Sequence, residues 1–110
     1  MESVLLFSFK TDRIKVTVEA FFDDKDNLVI EGYDIGKAVE EHWGDSDYEY
    51  SSTVSPEEVK KLYIVVNLRP GDRKGLLSYL QTHYHTNTCY SEIRTWFEDN
   101  HIRYEGFSWT

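Results

Sequence analysis

The segment HYHTNTC places two imidazoles and the chain's single thiol within seven residues: His83, His85 and Cys89. Imidazole and thiolate are the ligands that zinc prefers, and a thiol near a helix start can be held as a thiolate nucleophile. Tetrahedral zinc needs three or four ligands, and a fourth would have to come from His42, His101 or an acid elsewhere, because neither CxxC nor HExxH occurs. A metal-binding or thiol-dependent enzyme centred on His83, His85 and Cys89 is therefore one reading. In the competing reading, the histidines interact with a helix C-terminus, and Cys89 is a small buried apolar group. That reading ranks first, so no metal, no cofactor and no catalytic residue are expected.

Carboxylates offer a second chemistry. DDKDN, residues 23 to 27, has the acid density of a calcium loop but lacks the glycine such a loop needs at its sixth position, where Leu28 stands. It reads as a polar hairpin turn. The stretch HWGDSDYEY alternates rings with acids: Trp43, Tyr48 and Tyr50 against Asp45, Asp47 and Glu49. Rings anchor a protein interface while carboxylates steer and pair with Lys or Arg, so these six residues form the candidate partner-binding set. The competing reading turns the rings into the core and leaves the acids on a solvated outer face, since successive strand residues point opposite ways.

The charge distribution extends this signal beyond one segment. The net charge is -8, and residues 19 to 58 hold thirteen acids against two bases, whereas both flanks carry a small excess of bases. Such a field repels phosphate backbones and anionic membrane surfaces and attracts basic proteins. Direct nucleic-acid and membrane binding are disfavoured. The expected function is that of a small acidic protein-interaction module, of inhibitor, immunity or adaptor type, that masks a basic surface on a partner protein. A third possibility is pairing with a second copy of the chain through a sheet edge or an aromatic patch around Phe107 and Trp109.

These residues must be held by elements that the chain's periodicity indicates. A length of 110 residues, with 40% hydrophobic and 15% aromatic content, suits one domain spanning 1–110. The lone cysteine, the missing basic leader and the lack of a long apolar run make a cytoplasmic protein the expectation. In RIKVTVEAF, the apolar Ile14, Val16, Val18 and Ala20 alternate with polar residues at the period of a strand. Strands are predicted at 4–9, 13–21, 28–34 and 47–54, with a last one within 103–110. Asp34 is placed to cap a helix through Trp43, Ser55-Pro56 opens another with Glu58 completing a capping box, Asp72 caps a third, and CYSEIRTWFEDNHI forms a fourth. The expected class is α+β, an antiparallel sheet of four to five strands with about four helices packed on it, in the order βββαβαααβ.

Overall fold

The computed structural model describes residues 2–36 and 47–109. Within them the chain is α+β, with five antiparallel strands ordered as in the sequence: β1 Ser3–Lys10, β2 Lys15–Phe22, β3 Leu28–Ile35, β4 Asp47–Val54 and β5 Glu105–Trp109. Three helices, α1 Pro56–Val65, α2 Arg73–His83 and α3 Cys89–Asp99, lie between β4 and β5. The chain thus leaves β4, crosses the sheet as three helices and returns to pair beside the strand it left.

Local chemistry explains the turns. Between β1 and β2, the Thr11 hydroxyl accepts from the backbone N–H groups of Arg13 and Ile14, both at 3.2 Å. Between β2 and β3, the Asp23 carboxylate accepts from the backbone of Lys25 and Asn27 at 3.0 and 2.9 Å and from the Asn27 side chain at 3.0 Å. Burial opposes ionisation of Asp23, yet these hydrogen bonds hold its pKa below the usual carboxylate range. Arg73 of α2 pairs with Asp26 and stacks over the Phe22 ring, tying the turn to the helical layer.

Side chains of even number on β2, β3 and β4 face the helices. Val18, Ala20, Phe22, Leu28, Ile30 and Val54 join Leu6, Val59, Leu62, Tyr63, Leu76, Leu77, Leu80, Cys89, Ile93, Phe97 and Ile102 in one buried cluster. In β1 the pairing register shifts between Leu5 and Phe7, so that Leu6 is an extra residue whose side chain enters this core.

Three sequence expectations need correction. The helix expected from Asp34 does not begin there: β3 continues to Ile35, because Asp34 pairs with Tyr48 and Ile35 with Asp47. Residues 37–46 of that expected helix, with Trp43 and Asp45, lie outside the described residues. Ser55 precedes α1 without a side-chain cap bond, and Glu58 reaches away from it to accept the backbone N–H of Arg103 at 2.8 Å. The capping box is replaced by a tether between the start of α1 and the approach to β5. The last helix stops at Asp99, because His101 takes a left-handed conformation and turns Ile102 into the core. Asp72 caps α2 as expected, accepting from Gly75 N–H at 3.0 Å.

Candidate functional site

Paired residues of an antiparallel sheet share a face, so register places the side chains that face away from the helices. The central row runs Leu5, Glu19, Glu31, Ser51, Phe107 across β1 to β5. The next row places Thr17, Tyr33 and Glu49 side by side, and the row beyond holds Lys15, Ile35 and Asp47. Among the described residues no helix covers this face.

Glu19 and Glu31 stand directly opposite each other, and Glu49 is the diagonal neighbour of Glu31. With Thr17 and Tyr33 these three carboxylates line a shallow depression of about 260 Å³. Desolvation raises the pKa of Glu31, and the charges of Glu49 and Glu19 raise it further. Among the described residues, neither a hydrogen bond nor an ion pair reaches the Glu31 carboxylate. Beside them the Tyr33 hydroxyl donates to Asp47 at 2.9 Å, an interaction that pushes the tyrosine's own pKa up. Phe107, 62% exposed, ends the central row.

The structure therefore divides the partner-binding candidates of β4. Asp47 and Glu49 lie on this open face, while Tyr48 and Tyr50 lie on the helix side. Trp43 and Asp45 are outside the described residues. The rings that accompany the acids are instead Tyr33 and Phe107, which sit on strands distant in sequence and come together only through register. Alternation in LVIEGYD and EGFSW was the signal that could have found them. The remaining described acids of residues 19 to 58 lie elsewhere: Asp23, Asp24 and Asp26 in the β2–β3 turn, Glu57 and Glu58 at the start of α1, and Asp34 on the helix side. Two of these are matched by cations, Asp26 by Arg73 and Glu58 by Lys61.

On the helix side, Gly32 faces Tyr50 across β3 and β4. A Cβ at Gly32 would come 1.9 Å from the tyrosine ring, so glycine is what lets that ring lie flat on the β3 backbone. From there the Tyr50 hydroxyl donates to Asp34 Oδ1 at 3.1 Å. Tyr48 and Tyr90 meet the Tyr50 ring edge-on, with centroids 5.3 and 4.7 Å away. The Tyr90 hydroxyl lies 2.9 Å from that of the fully buried Ser52.

The second group of candidates does not assemble. Cys89 begins α3 but is fully buried, and that burial pushes the thiol pKa up, away from a thiolate at neutral pH. His83 is exposed against the ring of Tyr79, and His85 is exposed in the loop that follows α2. Among the described residues, no three His, Cys, Asp or Glu side chains are grouped so as to hold a metal ion. No described helix is long and apolar enough to cross a membrane. Compared with known proteins, the chain matches no family model, no curated protein and no solved structure.

Proposed function

We propose that this chain is a small acidic protein-interaction module that masks a basic surface on a partner protein, in the manner of an inhibitor, immunity protein or adaptor, with the open sheet face as its docking area. The observation that carries this reading is the grouping of Glu19, Glu31 and Glu49. Like charges placed opposite one another across strands work against folding, by about 0.2 to 1 kcal/mol per pair. A partner's Lys or Arg entering between them removes that repulsion and converts it into binding energy. Tyr33 and the exposed Phe107 supply the apolar contact beside the charges. A protein is favoured over a nucleic acid as the partner because the acids would repel phosphates. The single, buried cysteine suits a cytoplasmic setting.

The test is titration with a Lys- and Arg-rich peptide at low and high salt, read by backbone amide shifts. Shifts centred on Glu19, Glu31, Tyr33 and Glu49, fading as salt shortens the Debye length, are expected. The Glu31→Gln/Glu49→Gln double variant should weaken binding by about tenfold, as removal of two charge-assisted contacts implies. Binding indifferent to both salt and this substitution would remove the reading.

A further inference from the structure

The pocket on the helix side is a different feature from the acidic face, and it has the chemistry of a site. About 530 Å³ in volume, it is lined by Asp34, Tyr48, Tyr50, Tyr90, Arg94 and Ser108, among others. That is within the usual range for a small-ligand cleft. Its floor is the Tyr50 ring lying on Gly32, and Tyr48 and Tyr90 stand edge-on beside it. Asp34, half-buried, carries the pocket's negative charge. Among the described residues its protein partner is the Tyr50 hydroxyl on Oδ1, and none reaches Oδ2.

Arg94 is already engaged at the rim. Its Nε donates to the Tyr104 hydroxyl at 3.3 Å, and that hydroxyl donates to Glu98 at 2.7 Å. The guanidinium lies 5.8 Å from the Tyr90 centroid and 5.5 Å from that of Tyr104, so the Tyr90 face already carries a cation on one side. Among the described residues no cation pairs with Asp34, whose carboxylate is met by the Tyr50 hydroxyl and lies beside the rings of Tyr48, Tyr50 and Tyr90. A carboxylate beside tyrosine rings is an arrangement that recognises a cation: the acid supplies the opposite charge, with a charge-assisted hydrogen bond where the cation bears an N–H, and the rings supply a surface that attracts it without the cost of pure hydrocarbon.

We infer that this pocket binds a cationic group, an alkylammonium or guanidinium, held by the Asp34 carboxylate between the rings of Tyr48, Tyr50 and Tyr90. Desolvation raises the pKa of the half-buried Asp34 despite the hydrogen bond from Tyr50, so a counter-charge beside it would offset a cost already present. The inference does not depend on the acidic open face. The cation comes either from a free small amine or from a Lys or Arg side chain of a bound protein.

Titration with tetramethylammonium, with Nα-acetyl-lysine methylamide and with the uncharged Nα-acetyl-norleucine methylamide tests it, read by amide shifts at Asp34, Tyr50, Ser91 and Ser108. Saturable shifts with either cation and none with the norleucine compound are expected. Tetramethylammonium as the tighter ligand assigns the site to small quaternary amines, and the lysine compound as the tighter assigns it to side chains. Asp34→Asn, nearly isosteric, should weaken the cation at least about tenfold, and Tyr48→Leu, which leaves the carboxylate in place, by about threefold. The Glu31→Gln/Glu49→Gln double variant should leave these shifts unchanged, so the pocket and the open face stand or fall separately. Equal shifts with the norleucine compound, shifts with acetate in place of the cations, or full affinity in Asp34→Asn would overturn the inference.

Discussion

The two faces of this sheet are made by the same strands and obey opposite rules. On the helix side, polar groups that leave water find partners: Ser52 meets Tyr90, Asp34 meets Tyr50, and no buried side-chain nitrogen or oxygen among the described residues is left unmatched. On the open side, Glu19, Glu31 and Glu49 stand together, and no cation of the described residues pairs with them. The first face is arranged as stability demands, since an unsatisfied buried polar group costs roughly 1 to 3 kcal/mol. The second is arranged against stability, though weakly, because water screens exposed charges. Where a fold tolerates repulsion that a single substitution would relieve, stability does not account for the arrangement, and the proposed docking of a basic partner would.

Damage to the face that bears the stability should have the largest effect. Phe97 is fully buried in the core cluster and touches the rings of Trp96 and Tyr104. Phe97→Ala removes a large apolar surface and leaves a void, so urea unfolding should show a loss of about 3 to 5 kcal/mol. Phe107, 62% exposed on the open face, should lose well under about 1 kcal/mol on the same truncation. Equal losses at the two positions would mean that the open face is not the solvated layer its register implies.

A smaller effect separates the pocket floor from the surrounding core. Gly32→Ala forces the Tyr50 ring off the β3 backbone, because the new methyl would fall 1.9 Å from Cε2 of the ring. Overpacking of this kind costs about 1 to 3 kcal/mol. The Tyr50–Asp34 hydrogen bond should be lost with it, whereas the Ser52–Tyr90 contact, one row further along β4, should survive. Amide exchange and aromatic shifts distinguish these outcomes. An unperturbed Tyr50 would show that glycine is not what sets this floor.

What the sequence reveals of this fold depends on the range of the determining contacts. DYEYSSTV alternates so regularly that β4 is readable with its bounds, and Asp72 before an apolar helical repeat marks the start of α2. Local signals fail where a distant partner competes. Asp34 has the composition of a helix cap, but pairing with Tyr48 extends β3 through it. Ser55 and Glu58 have the spacing of a capping box, but the free backbone N–H of Arg103 offers Glu58 a better-placed donor. The acidic face belongs wholly to this second kind. Glu19, Glu31 and Glu49 come from three strands, and only their register makes them neighbours. The sequence shows that Tyr48 and Tyr50 face opposite to Asp47 and Glu49, but alternation is symmetric and does not say which pair meets the helices. That choice is made by the helices, through Ser52 and Val54 of the same strand, which are fully buried.

The smallest effect belongs to Glu31 on the open face. Glu31 has a raised pKa because desolvation and the charges of Glu49 and Glu19 all disfavour its ionised form. The folded state therefore holds this proton more tightly than the unfolded chain does, and ionising Glu31 takes stability away. The loss begins as pH rises through the ordinary glutamate range and is complete above the raised folded pKa. Glu31→Gln removes the charge at nearly constant volume, so at neutral pH it should stabilise the fold by about half a kcal/mol, the scale of one exposed like-charge pair. Below both pKa values the wild-type side chain is itself neutral, and the advantage should vanish. Urea midpoints for the two proteins at pH 7 and pH 3 read this directly. A substitution that gains stability at neutral pH while losing affinity for a basic peptide would show that this carboxylate is kept for what it meets in solution. One that costs stability at neutral pH would place a counter-charge beside Glu31 and return the open face to the same rule as the covered one.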